Sequence, residues 1–542
     1  VKRIFIILAL IVTVALPFAL RPRQPALAPA DDTVVVITPH NEAIRTEFGR
    51  GFQAWYRART GRTVAVDWRV VGGTSDITRF LEAEYIAAFR NYWTGKLHRE
   101  WSAEIQAGFT DPKVGADAPA AVREARAAFL ASAVSCGHDL FFGGGSYDFV
   151  RQAQAGRIVP ARVRRNHPEW FSDQVIPLRF TGEQYWDEGD CWFGNVISSY
   201  GILFNTDALA RLGLPPPREW RDLTDARYAG ALALSDPTKS SSMAKAFENI
   251  IQQQMQHRLA ALGPANEAQA VREGWAAGMK LIQLLAANAR YFTDSSQKPP
   301  IDVAQGECAA GICIDFYGRA QADAVERRGA NRLRFVTPRG GTVNSVDPIA
   351  ILRGAPHREI AELFLEYTLT MDAQKLWNFR PGTEGGPMRF ALRRLPARQD
   401  FYAHGEWKPL RSDPDANPFA DPDPLIYRPE WTAQLFRELA FVARVMCLDA
   451  HAELADAWRA INAAPIERRG RALAVLQETA AVDYAAVNGR IRATLASRDK
   501  VDEVRLASEL GAEFRAQYRA AEAIALGKQG GALARPEWKQ SQ

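Results

Sequence analysis

The sequence predicts an α/β protein that continues into an all-helical segment, and three observations predict it. Residues 33–38 (TVVVIT) are uninterruptedly apolar, as in a strand buried on both faces of a parallel sheet. Around that run the order is strand, helix, strand, glycine turn, helix, which is the right-handed parallel unit of an α/β domain. Beyond a proline- and acid-rich stretch at 413–429 the pattern is helical throughout.

Each element follows from its residues. Pro39, His40 and Asn41 close the first strand, and a helix over 42–60 carries Ile44, Phe48, Phe52 and Trp55 on one face before Gly61 stops it. Residues 63–71 form the second strand. The turn Gly72, Gly73, Thr74, Ser75 and Asp76 then leads into a helix carrying Ile77, Phe80 and Leu81. Residues 84–131 read as a helical insertion broken at 111–113, and 138–142 as a third strand ending in Gly143, Gly144, Gly145 and Ser146. Strands are expected again at 196–204, 231–234, 311–316, 333–337 and 346–352, with amphipathic helices at 359–367 and 372–379. In the C-terminal segment Leu435, Leu439, Val442 and Met446 make one apolar stripe, and Leu506, Leu510, Phe514 and Tyr518 another.

Composition bounds the function. A chain of 542 residues with 47% hydrophobic and 24% charged residues is globular, with room for several domains. Its net charge of +5 and the lack of a dense Lys/Arg stripe give no electrostatic case for nucleic acid, which is not expected as a partner. Lys2 and Arg3, an apolar run over 4–20 and the small residues Ala26, Leu27, Ala28, Pro29 and Ala30 have the order of a signal peptide. Arg21 and Arg23 after the run keep an uncut N-terminal anchor as the alternative. Five cysteines, Cys136, Cys191, Cys308, Cys313 and Cys447, allow two disulfides at most, and their spacing is not that of a zinc site.

Residues 196–242 organise the rest. Asn205, Thr206 and Asp207 cap a short helix that Gly213 ends, and a strand at 231–234 runs into Ser235, Asp236 and Pro237. Ser240, Ser241 and Ser242 then open a helix over 243–254. Hydroxyls at a helix start cap the first turn and also suit an anion. Three strands of the first half end in polar or glycine turns as well. In an open α/β sheet such ends border the ligand crevice.

These residues resemble the solute-binding proteins of ATP-driven importers, in the type II fold and nearest the ferric-ion, phosphonate and sugar-phosphate branch. The resemblance is carried by the run from Tyr200 to Thr206, by Leu212, Gly213, Leu214, Pro215 and Pro216, by Trp220, and by Leu234, Ser235, Asp236 and Pro237. Val303, Ala304, Gln305, Gly306 and Glu307 with Gly311, and Asp347, Pro348, Ile349 and Ala350, continue it in order. It implies two α/β lobes: 31–197 with 346–395 as a discontinuous lobe 1, and 198–345 as lobe 2. The flanking parts are 1–30 as signal or anchor, 396–429 as a proline-rich strap and 430–542 as a helical extension. It further implies a periplasmic, non-enzymatic receptor that closes on a small solute and hands it to a membrane permease, without a resident cofactor or metal. A ligand-sensing subunit of a membrane signalling system is the alternative, and an exported hydrolase a more distant one, since G-x-S-x-G, H-E-x-x-H and P-loop motifs are missing from the sequence.

In the ferric-ion members iron is held by a His after the first strand, a Glu after the third and a Tyr-Tyr pair. Here His40 matches the first, but Gly144 stands for the Glu and Phe316-Tyr317 for the pair. Fe(III) favours anionic oxygen donors, so a bare-iron site of that pattern is not expected. The expected site is instead a nest of amides and hydroxyls for an anion or a metal chelate: Gly73, Thr74, Ser75, Gly144, Gly145, Ser146, Ser240, Ser241 and Ser242, with His40, Asp315, Tyr317 and Arg319 completing recognition.

Overall fold

The computed structural model describes residues 30–528 apart from residues 328, 330 and 498. The segment read as a signal or anchor lies, up to residue 29, outside the described residues. No helix among the described residues is long and apolar enough to cross a membrane.

In the first lobe, β1 (Asp32–Ile37), β2 (Val64–Arg69) and β3 (Leu140–Phe142) run parallel, with β1 between the other two. The apolar run predicts this: Val34, Val36 and Ile37 are fully buried. Helix α1 (Glu42–Thr60) starts where Asn41 Oδ1 accepts the Ile44 amide and ends at Gly61 in the left-handed region. Its core face is Ile44, Phe48, Phe52 and Tyr56; Trp55, expected there, is only half-buried because the true spacing is four residues. Helix α2 spans Thr74–Asn91, and the insertion after it breaks at 97–102 and 109–119, more widely than residues 111–113. Helix α3 (Ser146–Ala155) follows β3.

The chain then adds β4 (Ile158–Val159), a hairpin of β5 (Arg179–Phe180) and β6 (Glu183–Gln184), and β7 (Phe193–Ser198). One residue later β8 (Tyr200–Asn205) is already part of a second sheet. That sheet is completed by β9 (Leu232–Ser235), β10 (Ala289–Thr293), β11 (Ala310–Ile314) and β12 (Leu333–Val336). Its helices are α4 (Ser241–Leu262), α5 (Glu267–Ala287) and α6 (Asp315–Glu326). The chain returns through 337–344 to β13 (Ser345–Leu352) in the first sheet, then α7 (Arg358–Leu369), α8 (Met371–Asn378) and β14 (Leu395–Pro396).

Both sheets have one plan. The first reads β2-β1-β3-β13-β7 and the second β10-β9-β11-β8-β12. In each, three parallel strands are followed by an antiparallel one. The antiparallel strands β13 and β8 are the ones that enter from the other lobe. This is the two-lobed type II fold, and it brings the carboxyl ends of two parallel strand sets to a shared cleft.

A third connection joins the lobes. After β14, Phe419 packs on Phe180 with ring centroids 4.8 Å apart, and Tyr427 donates its amide to Thr181 O at 2.7 Å. The Tyr427 hydroxyl then reaches Glu248 of α4 at 2.9 Å. The helices that follow, including α9 (Phe436–Ala443), α10 (His451–Ala463) and α11 (Lys500–Leu526), share one apolar core with lobe 2, whereas lobe 1 has its own. Leu439, Val442, Met446 and Phe514 are fully buried there, each contributing about 1.5–3 kcal/mol. Buried polar groups fix the seat: Trp275 Nε1 donates to Val482 O at 2.9 Å, and Gln283 Nε2 to Leu476 O at 2.9 Å and to the Tyr518 hydroxyl at 2.9 Å. All five cysteines are free thiols.

Candidate functional site

The cleft is built where strand ends of both lobes meet. From lobe 1 come residues 38–41 after β1, 70–75 after β2 and 143–146 after β3. From lobe 2 come residues 236–242 after β9, 294–297 after β10 and 315–317 after β11. The turns touch one another. A Cβ added at Gly143 would lie 2.3 Å from His40 Nε2, and one at Gly144 would lie 2.7 Å from Thr74 Cγ2. Both glycines have positive φ, 89° and 125°, so a side chain there meets backbone strain as well as a neighbour. Across the cleft, a Cβ at Gly73 would come within 3.6 Å of Lys239 O.

The sequence candidates divide by what their polar groups do. Gly73 N is held by Asp76 Oδ2 at 3.1 Å, but Thr74 and Ser75 open the first turn of α2, where amides have no intrahelical acceptor. Gly145 precedes α3 without a side-chain cap, and Ser146 opens it. Ser240 is the N-cap of α4: its hydroxyl accepts the Met243 amide at 3.2 Å, so that oxygen serves the helix rather than a guest. Ser241 and Ser242 are half-buried, and Ser242 borders a small cavity with Tyr200 and Ser296. Asp315 and Arg319 pair with each other one helical turn apart, and Asp315 Oδ1 also accepts the Phe316 amide at 2.8 Å. These two are engaged with each other, although Arg319 Nε is buried without a hydrogen-bond partner among the described residues. Tyr317 is half-buried against Phe316, with centroids 4.1 Å apart, and burial raises its hydroxyl to about 12.

His40 is buried, and its Nε2 has no partner among the described residues. Its ring meets Phe142 edge-on at 4.7 Å and lies 6.0 Å from Trp377. Burial holds it well below its usual range, helped by the charges of Arg394 and Arg45, so it is neutral at pH 7.

Those neighbours were not among the residues singled out from the sequence. Arg394, just before β14, is fully buried between the lobes: its guanidinium lies 4.4 Å from the Phe316 ring of lobe 2 and 5.4 Å from Trp377 of lobe 1. Its Nη2 pairs with Asp347 Oδ2 at 2.7 Å and also donates to the Ser198 hydroxyl. Its Nε and Nη1 have no acceptor among the described residues, and neither do Arg45 Nε and Trp377 Nε1. Arg394 is held by its loop. Glu47 accepts the amides of Met388, Arg389 and Phe390 at 2.8–2.9 Å. Arg393 takes φ 55° and bridges Asp323 and Asp413 at 2.9 and 2.8 Å. A non-glycine residue in that region beside a buried charge is characteristic of a functional site.

A second buried group stands beside the α3 turn. Asp148 is 8% exposed, its Oδ2 has no partner among the described residues, and burial raises its carboxyl to about 7 against the opposing pull of Arg151. Next to it Tyr147 packs on Phe436 of the helical extension at 4.7 Å, so the extension reaches the lobe 1 rim. Among the described residues no group of three or more His, Cys, Asp or Glu is placed to hold a metal ion.

Fold and cleft together are those of the two-lobed type II architecture. Residues 134–382 match the family model described as bacterial extracellular solute-binding protein, which is the family that the residues themselves resemble. Among curated proteins, the chain is 26% identical over 253 residues to an uncharacterized protein of Haemophilus influenzae, covering 42% of this chain and 66% of that one. It is 24% identical over 270 residues to the phosphoglycerate transport regulatory protein PgtC of Salmonella typhimurium, covering 49% of this chain and 56% of that one. The chain thus spans 56–66% of the length of these relatives. Among solved structures it is similar to the periplasmic binding protein AfuA of Actinobacillus pleuropneumoniae, with 17% identity, TM-score 0.43 and coverage of 64% of this chain and 81% of that one. It is also similar to iron-bound HitA of Pseudomonas aeruginosa, with 16% identity, TM-score 0.44 and coverage of 76% and 99%.

Proposed function

We propose that this protein is an extracytoplasmic receptor that encloses a small anionic solute between its lobes and delivers it to an import permease. The observation that carries the reading is the meeting of two parallel strand sets, with donor-rich turns on both sides and Gly73 facing Lys239 O across the gap. Closure is a hinge motion about the two sheet-to-sheet crossings, with the strap spanning both lobes and the helical extension travelling with lobe 2. The name of the Salmonella relative makes phosphoglycerate the first solute to try.

Native mass spectrometry of protein purified from its own extracytoplasmic fraction tests this. A retained small anion at one per chain is the expected result. Turnover of the solute by the purified protein overturns it in favour of an exported enzyme.

A second reading has its own support. The same relative is named a transport regulatory protein, and the helical extension forms one core with lobe 2 while touching lobe 1 at Tyr147. That arrangement suits a ligand-sensing subunit whose partner reads the closed state. Co-purification from membranes separates the two: a permease supports import, a membrane kinase supports sensing.

A further inference from the structure

We propose that Arg394 is the charge-recognising anchor of the cleft, a subsite at its hinge end for a carboxylate or phosphate group of the solute. This deepens the receptor reading and rests on it. A guanidinium carries five N–H donors. In Arg394 only Nη2 is engaged, by Asp347 and Ser198, so the one N–H of Nε and the two of Nη1 lie in a fully buried site without acceptors among the described residues. Asp347 offsets the charge itself, but burying three N–H groups without acceptors remains costly. The neighbourhood deepens the deficit. Trp377 Nε1, Arg45 Nε and His40 Nε2 are also buried without partners among the described residues, and the Trp377 ring lies 6.0 Å from the His40 ring and 5.4 Å from the Arg394 guanidinium. Apart from His40 Nε2, whose role depends on its tautomer, all of these atoms can only donate. The knot has an excess of donors, and its natural complement is an anion.

Position supports the same assignment. Arg394 is layered between Phe316 of lobe 2 and Trp377 of lobe 1, so a solute reaching it from the cleft meets both lobes at the crossing β7–β8. Gly143 closes over His40 on the lobe 1 side and Gly144 over Thr74. Hence the first-turn amides of α2 and α3 neighbour the knot. A solute that fills both places carries two polar ends, one at the amide turns and one at the guanidinium. A small phosphorylated carboxylic acid has that chemistry.

Isothermal titration of the full chain tests the assignment with four probes, namely phosphoglycerate, inorganic phosphate, succinate and spermidine, on wild type, Arg394→Gln and, as a control at an exposed arginine of α11, Arg505→Gln. The expected result is that wild type binds an anion, that Arg394→Gln weakens it on the order of 30-fold or more, and that Arg505→Gln keeps it. Thermal melts without and with the anion guard against misfolding: Arg394→Gln should stay folded and lose the anion-induced rise in melting temperature. Equal affinity in wild type and Arg394→Gln overturns the anchor while leaving the receptor reading intact. Binding of spermidine with no anion overturns the anchor and revises the charge of the solute, and failure to bind any probe at millimolar concentration removes the support of both.

Discussion

The two edges of the cleft share a topology and differ in how their polar groups are used. In lobe 2, Ser240 caps Met243, Asp236 Oδ1 accepts the Thr238 amide and hydroxyl at 2.8 and 2.7 Å, Ser235 donates to Ser295 O at 3.2 Å, and Asp315 pairs with Arg319. In lobe 1, His40 Nε2, Arg45 Nε, Trp377 Nε1 and the Nε and Nη1 of Arg394 are buried without partners among the described residues. An unpaired buried donor costs about 1–3 kcal/mol, so a fold retains several only where something else supplies the acceptors. On the receptor reading proposed above, lobe 1 and its returning loop would hold the charge of the solute, whereas the lobe 2 edge, apart from Arg319 Nε, has more of its side-chain groups engaged and would act as the closing half.

The strongest way to break this comparison is at a lobe 2 cation that is already committed. Lys245 of α4 sits 2.6 Å from Glu183 of lobe 1 and 2.9 Å from Glu248, with its ammonium 3.7 Å over the Tyr427 ring. Burial alone would lower the ammonium, yet the two carboxylates hold it well above its usual range. Lys245→Met leaves two buried carboxylates without their cation and should cost about 3–5 kcal/mol, read by urea denaturation. The sign follows from the raised folded value: the Lys245 contribution is fully present below pH 10.5 and is lost only as pH climbs through the folded value. Acidification should therefore not release the strap through this lysine. A stable Lys245→Met protein that binds anions more weakly would mean that this lobe 2 cation serves the solute as well as the two carboxylates.

Next in size is Asp148. Raising a carboxyl from 3.8 to about 7 by burial disfavours its ionised form in the fold by about 4 kcal/mol. Because the folded value is the higher one, this term is absent below pH 3.8 and grows as pH rises to 7, so stability falls across that window. Asp148→Asn should raise the melting temperature at pH 8 and leave it nearly unchanged at pH 3.5. The same charge beside the Ser146 turn should weaken anion binding as pH rises through 7, and the substitution should flatten that profile. A profile that stays steep in Asp148→Asn places the titrating group elsewhere.

Gly143 sharpens the comparison through backbone alone. Alanine there adds a Cβ 2.3 Å from His40 Nε2 at φ 89°, costing about 2–4 kcal/mol from the left-handed backbone and overpacking together. In lobe 2, Gly306, which ends the helix before β11 at φ 80°, meets nothing closer than Asn205 Nδ2 at 3.8 Å, so Gly306→Ala should cost about 1 kcal/mol. Solute affinity should fall with the first and hold with the second.

The lobes were legible because buried parallel strands write uninterrupted apolar runs and their ends write glycine turns. His40 was legible because it follows the first strand directly. Asp315 and Arg319, four residues apart, carry the spacing of a helical ion pair, and that is what they form. Arg394 was not legible. In the run Leu392, Arg393, Arg394, Leu395 it looks like one of two surface arginines, and only the pairing of β14 with β7 and the pinning of the loop by Glu47 bury it. The helical extension showed its apolar stripes, but not that Trp275 and Gln283 of α5 are the groups that bind it into lobe 2.

The smallest effect comes from Ser240. Its hydroxyl is 3.2 Å from the Met243 amide and the residue is 6% exposed, so Ser240→Ala removes one cap from α4 and should cost about 1 kcal/mol. If lobe 2 only closes, that loss appears in the melting temperature of the free and the solute-bound protein alike, and the dissociation constant stays where it was. The opposite pattern, an unchanged melt with tenfold weaker binding, would mean that the hydroxyl leaves the helix for the solute on closure. The charge of the solute would then be shared between the edges, and the asymmetry between the lobes would belong to the empty cleft alone.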